Sequence, residues 1–153
     1  MAAETPTVHA SAVLAGARAV LIRGPAGAGK SQLALALIQA ADTGLLRFAR
    51  LIGDDRLHLE VHHGRLLVRP AAALAGLIEI RGVGIRRLDY EPVAVVGLVV
   101  DLAAEDAERM PAAGETVLLG VPIRRLALAA GTAPLPPVLA LLHGGITEIK
   151  PRS

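Results

Sequence analysis

Apolar residues along the chain occur mostly in short runs separated by glycine, proline or charged residues. Short apolar runs bounded by such turn-forming residues are typical of β-strands. The run at residues 93–102 is nearly continuous, which predicts a central strand buried on both faces. Further single strands are predicted at residues 50–53 and 77–80. Three pairs of runs, each joined by a glycine-containing connection, predict hairpins: residues 8–14 with 18–22, 57–61 with 66–68, and 117–119 with 123–128.

Helical patterns are fewer. Residues 31–41 predict a helix with Leu33, Leu37 and Ile38 on one apolar side, and the Asp-Thr-Gly stretch that follows ends it. A second, short helix is predicted at residues 136–142, with proline in its first turn. Many short strands with one long helix do not suit a regularly alternating, doubly wound fold. The predicted class is therefore mixed α/β with a bias towards β-structure.

A glycine-rich loop lies between a predicted strand and the main helix. Its sequence fits the phosphate-binding pattern G-x-x-x-x-G-K-[ST] in full. In such a P-loop the backbone N–H groups and the helix N-terminus face the phosphates, while the lysine reaches the terminal phosphates and the serine can bind Mg²⁺. A chance glycine-rich turn is the alternative, although two lysines in the whole chain make a chance match rare. The phosphate-binding residues predicted are Gly24, Pro25, Ala26, Gly27, Ala28, Gly29, Lys30 and Ser31.

This loop refines the fold prediction to an α/β P-loop kinase core with β-rich additions. The predicted β-rich additions are several hairpins. Two helices are predicted: one main helix after the P-loop and a short C-terminal helix. The chain shows no internal repeat and no long linker, so we expect a single kinase catalytic domain over residues 1–153, with residues 1–7 as a loose tail.

Composition excludes several functional classes. Hydrophobic residues make up 53% of the chain but aromatic residues only 1%, so the core must consist of Leu, Val, Ile and Ala. The formal charge is +2 without a long basic run, which argues against a nucleic-acid interface. There is no cysteine for a disulfide or a thiolate metal site. No signal peptide and no apolar stretch long enough to span a membrane are evident. We therefore expect a cytoplasmic protein.

Other polar positions could carry chemistry, and each has an ordinary alternative. Asp54 and Asp55 follow a predicted strand, where an acidic residue can face phosphates and Mg²⁺ or can form a solvated turn. Glu79 alternates with isoleucines, so it faces either solvent or a polar site. His9 precedes the first apolar run, and Arg109 follows a cluster of acidic residues; by themselves both read as surface residues.

Together these fragments resemble the HPr kinase/phosphorylase family, specifically its C-terminal catalytic domain. The matching stretches run in the family's order: residues 8–10, 24–31, 53–57 and 78–85, with a weaker match at residues 108–110. The combination of Asp-Asp with Glu-Ile-Arg-Gly-x-Gly is much more specific than a P-loop alone. The resemblance covers roughly residues 8–130.

The resemblance implies an enzyme that uses ATP and Mg²⁺ to phosphorylate a serine of HPr, a small phosphocarrier protein. Many members also reverse this reaction with inorganic phosphate and release pyrophosphate. By motif position, His9 matches the family's active-site histidine and Lys30 its P-loop lysine. Asp55 matches the carboxylate that accepts the serine proton, and Arg109 matches a later catalytic arginine.

The resemblance also implies Mg²⁺ ligands and an assembly. Ser31 and Glu79 match the metal ligands, and because the family forms hexamers we expect self-association. We expect a short form that consists of the catalytic domain alone, similar to the short forms of alphaproteobacteria. The family's Arg-Pro-Gly-Arg-Asn stretch, tied to dephosphorylation, corresponds only to residues 124–131. We therefore expect a serine kinase with weak phosphate-dependent dephosphorylation. A P-loop kinase of a small metabolite and a non-catalytic nucleotide-sensing module remain open alternatives.

Overall fold

The computed structural model describes residues 6–107 and 114–143. Two α-helices, α1 (Lys30–Asp42) and α2 (Leu135–Leu142), and a short 3₁₀ turn (Ala72–Leu74) accompany the strands. No helix within these ranges is long and apolar enough to cross a membrane. The strands are β1 (Thr7–Val8), β2 (Ser11–Ala15), β3 (Arg18–Arg23), β4 (Ala49–Gly53), β5 (Leu57–His62), β6 (Arg65–Pro70), β7 (Leu77–Ile80), β8 (Gly84–Arg87), β9 (Ala94–Asp101), β10 (Gly114–Leu118) and β11 (Val121–Ala127).

The described strands form one nine-stranded sheet that branches at β9, together with a separate β7–β8 hairpin. The main path is β1-β5-β6-β9-β3-β2-β4, and β11 pairs with both β9 and β10. The first half of β9 is antiparallel to β6, with Val95 opposite Leu67. Its second half is parallel to β11, with Val99 opposite Arg125. The prediction that this segment forms the central strand is therefore confirmed.

Three neighbouring strands of the sheet, β3, β9 and β11, run parallel. Because parallel strands place their C-terminal ends at the same edge of a sheet, the segments that follow them meet there. Those segments are the glycine-rich loop (residues 24–29), residues 102–107 and residues 128–134. This edge is where the fold brings together the loops that can hold a ligand.

The core lies on both faces of the sheet. Side chains alternate along a strand, so Val20 and Ile22 of β3 face α1, where they pack in one cluster with Leu33, Leu37 and Val138. The alternate residues of β3, Ala19 and Leu21, belong to a second cluster on the opposite face, with Leu57, Leu66, Val68 and Val99. The buried apolar residues are all Leu, Val, Ile and Ala, as the composition predicts.

The predicted hairpins and helices are present with small shifts in their ends, but two strands were not predicted. Strand β8 is exposed along its whole length, so it has no buried apolar face to produce a period-two pattern. Strand β1 contains Thr7, which pairs with His58 on β5, so the loose-tail prediction for residues 1–7 does not hold at Thr7. Strand β1 pairs with β5 through its backbone, and such pairing produces no pattern of side chains that the sequence could reveal. Arg109 and the end of the chain beyond residue 143 lie outside the described residues.

An ionic network joins the ends of the three parallel strands. Asp101, the last residue of β9, accepts hydrogen bonds from Arg23 Nε at 2.7 Å, Arg23 Nη2 at 2.8 Å and Arg125 Nε at 2.5 Å. Arg125 also donates to Asp106, at 2.7 and 3.0 Å.

Burial opposes ionisation of Asp101, but the hydrogen bonds and charges of the two arginines outweigh burial and hold the pKa of Asp101 below its ordinary value. The hydrogen bonds to Asp106 and Asp101 raise the pKa of Arg125. The network therefore fixes the strand ends beside the glycine-rich loop.

We expect Asp101→Asn to lower the free energy of unfolding by about 1–3 kcal/mol at neutral pH, because it removes charge-assisted hydrogen bonds from a side chain that is 13% exposed. Since the pKa of Asp101 in the folded protein lies below its ordinary value, this stabilisation is complete above the unfolded pKa. It is lost as the pH falls through the folded pKa. Urea denaturation of the wild type and the variant should thus show a difference that shrinks below about pH 4.

The control is Glu60→Gln, which removes the half-exposed pair between Glu60 and Arg69 at 3.1 Å. It should cost less than about 1 kcal/mol. A difference for Asp101→Asn that stays constant from neutral to acidic pH would contradict the proposed role of the network.

Candidate active site

A cavity of about 940 Å³ lies between the glycine-rich loop, the end of β4 and the turn that joins β7 to β8. It is lined by residues from the start of the chain, from the loop, from the start of α1 and from both sides of that turn. The structure therefore brings together these residues singled out in the sequence: His9, Gly24, Pro25, Ala26, Gly27, Gly29, Lys30, Ser31, Asp54, Asp55 and Glu79.

The backbone of the loop requires glycine where it turns into the helix. Gly27 and Gly29 have φ angles of 82° and 101°, in the left-handed region that other residues rarely adopt. The Ala28 N–H donates to the Pro25 carbonyl at 3.1 Å and closes the turn. In the described structure, no side chain caps α1 and its first turn carries no acidic residue. The first N–H groups of a helix lack partners within the helix, so this end of α1 can bind an anion.

Lys30, the first residue of α1, folds back across the loop. Its Nζ donates to the Gly24 carbonyl at 2.7 Å and to the Pro25 carbonyl at 3.2 Å. These acceptors are neutral, and the ammonium group stays at the surface of the cavity. A phosphate oxygen in the cavity would be a stronger, charged acceptor for the same group.

Asp54 is the buried carboxylate of the site, with 5% of its surface exposed. Its Oδ1 accepts hydrogen bonds from Ser11 Oγ at 2.5 Å and from Ser31 Oγ at 2.8 Å. Its Oδ2 is 2.9 Å from Ser31 Oγ and accepts from the Glu79 N–H at 3.3 Å. Because the Ser31 hydroxyl donates its proton to Asp54, its oxygen lone pairs remain available to a cation. Asp54 is therefore buried and hydrogen-bonded, so it does not form a simple solvated turn.

The side chain of the next residue, Asp55, is not buried with that of Asp54 but lies exposed at the cavity. Its φ of 72° lies in the left-handed region, where aspartate is tolerated better than most residues. The side chain is 69% exposed, and its Oδ1 lies 3.8 Å from Nδ1 of His9. That distance is too long for a hydrogen bond and suits a charge contact when the histidine is protonated. Asp55 is thus the accessible carboxylate of the pair.

The tight end of β4 explains why the two aspartates diverge. A Cβ on Gly53 would lie 2.5 Å from Cδ2 of Leu57 and 3.0 Å from Cβ of Pro70. The backbone can pass there only because residue 53 has no side chain. The chain then turns at once, which directs Asp54 into the protein and Asp55 into the cavity.

Glu79 and Arg81 form the far wall. Glu79 is exposed, at the edge of the cavity, and its backbone N–H is the group that binds Asp54. Arg81 begins the turn to β8; Gly82 in that turn and Gly84 at the start of β8 have positive φ angles. The sequence left open whether Glu79 faces solvent or a polar site. The structure places it at a polar cavity that is open to solvent.

The residues present fit Mg²⁺. Hydroxyl and carboxylate oxygens are the ligands that this ion prefers, and Ser31, Asp54, Asp55 and Glu79 all line the cavity. Within the described ranges, no three His, Cys, Asp or Glu side chains are grouped closely enough to hold a metal by themselves. Mg²⁺ commonly binds through one or two carboxylates together with substrate phosphates. The site thus suits a Mg²⁺ that arrives with a nucleotide.

The sequence analysis did not single out Ser11, and it left Asp54 open between a polar site and a solvated turn. Ser11 carried a weak signal: it is a polar residue between Ala10 and Ala12 at the start of a buried strand, and it is 1% exposed. A buried hydroxyl requires a partner, and the sequence could not say which one. Arg109 matches a catalytic position in the family but lies outside the described residues.

Comparison with known proteins agrees with this geometry. Residues 1–90 match the family model of the HPr serine kinase C-terminal domain. An HPr kinase/phosphorylase of Streptococcus thermophilus is 42% identical over 84 residues, which are 54% of this chain and 25% of that protein. One from Lactobacillus delbrueckii subsp. bulgaricus is 35% identical over 100 residues, 65% of this chain and 29% of that protein. The alignments thus span about a quarter of these relatives.

A solved structure extends the similarity over most of the fold. The Hpr(Ser) kinase/phosphatase from Coxiella burnetii superposes with a TM-score of 0.71 at 26% sequence identity. The superposition covers 90% of this chain and 93% of that one. The mixed α/β architecture is therefore shared well beyond the segment that the sequence matches reach.

Because the Ser11 hydroxyl is buried and bound to a carboxylate, we expect Ser11→Ala to lower the free energy of unfolding by about 1–2 kcal/mol. A double-mutant cycle with Asp54→Asn should give a coupling energy above about 0.5 kcal/mol, since the two side chains are in contact. Urea denaturation of the four proteins measures both quantities.

The control cycle pairs Asp54→Asn with Thr43→Ala. Thr43 follows α1 at its far end, and its exposed hydroxyl makes only neutral hydrogen bonds, at 3.2 and 3.3 Å. These two changes should be additive. Additivity of Ser11→Ala and Asp54→Asn would mean that Ser11 does not support Asp54.

Proposed function

Because the chain belongs to the family of HPr serine kinase C-terminal domains, we propose that it is an ATP- and Mg²⁺-dependent serine kinase acting on an HPr-like phosphocarrier protein. The proposal includes weak phosphate-dependent dephosphorylation in the reverse direction, self-association and a cytoplasmic location. One observation supports it most: a single cavity contains an uncapped helix N-terminus, a lysine, a serine bound to a buried carboxylate, and an exposed carboxylate.

The glycine-rich loop holds the phosphates in this proposal. Backbone N–H groups of residues 25–31 and the N-terminus of α1 donate to the phosphate oxygens. The Lys30 ammonium moves from the carbonyls of Gly24 and Pro25 to the terminal phosphates. There it stabilises the charge that develops on the transferred group.

Ser31 and Glu79 are the proposed Mg²⁺ ligands. Asp54 orients the Ser31 hydroxyl through hydrogen bonds of 2.8 and 2.9 Å. Ser11 in turn holds Asp54. When bound, Mg²⁺ supplies neutralising charge at the β- and γ-phosphate oxygens.

Asp55 is the proposed acceptor of the proton from the incoming serine hydroxyl. With 69% of its side chain exposed, it can be reached by a serine on the surface of another protein. Nδ1 of His9 lies 3.8 Å from this carboxylate and is placed to influence it. Arg109, which lies outside the described residues, keeps the catalytic role that the family resemblance implies.

The reverse reaction brings two anionic groups together, so it needs cations near the phosphates. Of the two arginines in the segment that corresponds to the family's Arg-Pro-Gly-Arg-Asn stretch, Arg125 already binds Asp101 and Asp106. Its guanidinium is therefore committed to structural carboxylates. This supports a forward reaction that strongly exceeds the reverse one.

The test is transfer of the labelled γ-phosphate from ATP to the serine of purified HPr in the presence of Mg²⁺. Lys30→Ala should reduce the rate by at least about 100-fold, because it removes a preorganised charge from the transferred group. Arg65→Ala, at the exposed tip of the β5–β6 hairpin, is the control and should retain wild-type activity.

The same assay separates the alternatives. Turnover only with a small acceptor would identify a metabolite kinase, and nucleotide binding without turnover would identify a sensing module. Activity of Lys30→Ala near the wild-type rate would overturn the phosphate-binding assignment.

We expect Glu79→Gln to raise the Mg²⁺ concentration needed for half-maximal activity by about tenfold or more, because an amide is a weaker ligand than a carboxylate. The stability should change little, since the contact of Glu79 with Asp54 is made by its backbone N–H. Glu115→Gln, an exposed carboxylate on β10, serves as the charge-matched control. An unchanged Mg²⁺ dependence would show that Glu79 is a surface residue.

A further inference from the structure

A separate cavity of about 580 Å³, here called the Tyr90 cavity, lies away from the glycine-rich loop. It is lined by Arg50 near the start of β4, by Gly76 just before β7, and by residues 87–90 at the end of β8. The other end of β4 and the turn between β7 and β8 lead to the cavity of the candidate active site. No described residue lines both cavities, so the Tyr90 cavity can bind a ligand of its own.

The only phenylalanine and the only tyrosine of the chain lie at this cavity or directly beside it. Large aromatic side chains are usually buried, yet Phe48 is 37% exposed and Tyr90 is 40% exposed. Tyr90 lines the cavity, and Cζ of Arg50 lies over the Phe48 ring, 5.1 Å from its centre. Exposed aromatic residues beside arginine are typical of surfaces that bind another molecule.

Contacts with the surrounding strands hold the walls of the Tyr90 cavity in place. The Leu88 N–H donates to the Gly76 carbonyl at 2.7 Å, and the Glu91 N–H donates to the Leu51 carbonyl at 2.8 Å. A Cβ on Gly76 would lie only 3.1 Å from Cδ1 of Tyr90, so the tyrosine ring packs directly against this glycine. The cavity is therefore formed before a ligand enters, as binding sites for small molecules usually are.

Two arginines give the cavity donors for a carboxylate. Arg50 Nη1 donates to Glu91 Oε1 at 2.7 Å, which fixes the guanidinium while leaving its other N–H groups for a second acceptor. Because this side chain is already oriented, binding an anion costs it little conformational freedom. Arg87 is exposed and forms no hydrogen bond or ion pair through its side chain with another described residue. Its guanidinium is therefore available to a ligand.

The cavity also contains one carboxylate, that of Asp89. Like Arg87, Asp89 is exposed, and its side chain has no partner in the described part of the chain. This carboxylate repels a purely anionic ligand, and the arginines repel a purely cationic one. A ligand that carries one group of each charge suits both. The partly exposed ring of Tyr90 adds a surface on which another ring can stack.

We propose that the Tyr90 cavity binds a free α-amino acid with an aromatic side chain. Arg50 and Arg87 bind its carboxylate, and Asp89 binds its ammonium group. The side chain of the ligand packs against Tyr90 and Leu88, which line the same cavity. The inference does not depend on the proposed function, because it uses no residue of the glycine-rich loop or of the carboxylate site.

Titration of L-phenylalanine into isotope-labelled protein, followed by NMR, tests the inference without ATP or an acceptor protein. The signals of residues 87–90 should shift and saturate with a dissociation constant of about 1 mM or tighter, while those of the glycine-rich loop stay unchanged. Phenylpropionate lacks the ammonium group, phenylethylamine lacks the carboxylate and L-alanine lacks the ring. Each should bind at least about tenfold more weakly, because each leaves one part of the site without its partner.

Two variants separate the contributions of the charges. Asp89→Asn should weaken L-phenylalanine by about tenfold or more but should not weaken phenylpropionate, because it removes a charge that repels this anion. Arg87→Gln should weaken both ligands. Asp42→Asn at the end of α1 and Arg65→Gln at the start of β6 are the matched controls. All four side chains are exposed, so the fold should be retained, and the controls should change neither affinity.

Several outcomes would overturn the proposal. One is the absence of saturable shifts up to about 10 mM L-phenylalanine, and another is a set of shifts confined to the glycine-rich loop. Equal affinity for L-phenylalanine and any of the three analogues would mean that the group missing from that analogue is not bound as proposed. Full affinity in both Asp89→Asn and Arg87→Gln would place the ligand elsewhere. Lys30→Ala should bind L-phenylalanine normally, so loss of kinase activity and loss of this site are distinguishable.

Discussion

The candidate site depends on the burial of one carboxylate. Placing a carboxylate inside a protein is costly unless hydrogen bonds replace the lost water, and Asp54 is 5% exposed. Its donors come from three separate elements: Ser11 on β2, Ser31 on α1 and the Glu79 N–H on β7. Asp54 is therefore satisfied only when the sheet, the helix and the β7–β8 hairpin are all in place. Formation of the site is thus coupled to completion of the fold.

A second carboxylate performs the complementary task on the other side of the glycine-rich loop. Asp101 joins Arg23, which immediately precedes the loop, to Arg125 on β11. The loop has few side chains with which to hold its own shape, so its position is set from both ends. Asp54 holds the serine where the loop becomes a helix, and Asp101 holds the strand from which the loop departs. The two carboxylates at strand ends therefore differ in role, because their partners differ in charge.

The chemistry divides along the same line. On the side of Asp54 the cavity is polar and is lined by hydroxyl, carboxylate and ammonium groups. On the side of Asp101, a smaller cavity of about 310 Å³ has apolar walls. The charged groups of the ionic network bind one another. The glycine-rich loop therefore separates a polar cavity from an apolar one. The Arg125 guanidinium is bound to Asp101 and Asp106.

The sequence by itself determined the features that depend on neighbouring residues. Apolar runs and glycine-containing connections predicted the hairpins, the helix α1 and the central strand β9. The composition predicted the aliphatic core, and the spacing of glycines, Lys30 and Ser31 predicted an anion-binding loop. The resemblance to a family then singled out His9, Asp55 and Glu79, and the structure places them around one cavity with the loop.

The tertiary structure alone decided what depends on distant contacts. Which aspartate is buried follows from the close approach of Leu57 and Pro70 to Gly53 and from the positive φ of Asp55. The partner of Ser11 lies 43 residues away, and that of Arg23 lies 78 residues away. The apolar cavity beside the glycine-rich loop is built from three segments that only parallel pairing brings together. A one-dimensional pattern records which residues are polar or apolar, but the pairing of strands determines which of them meet.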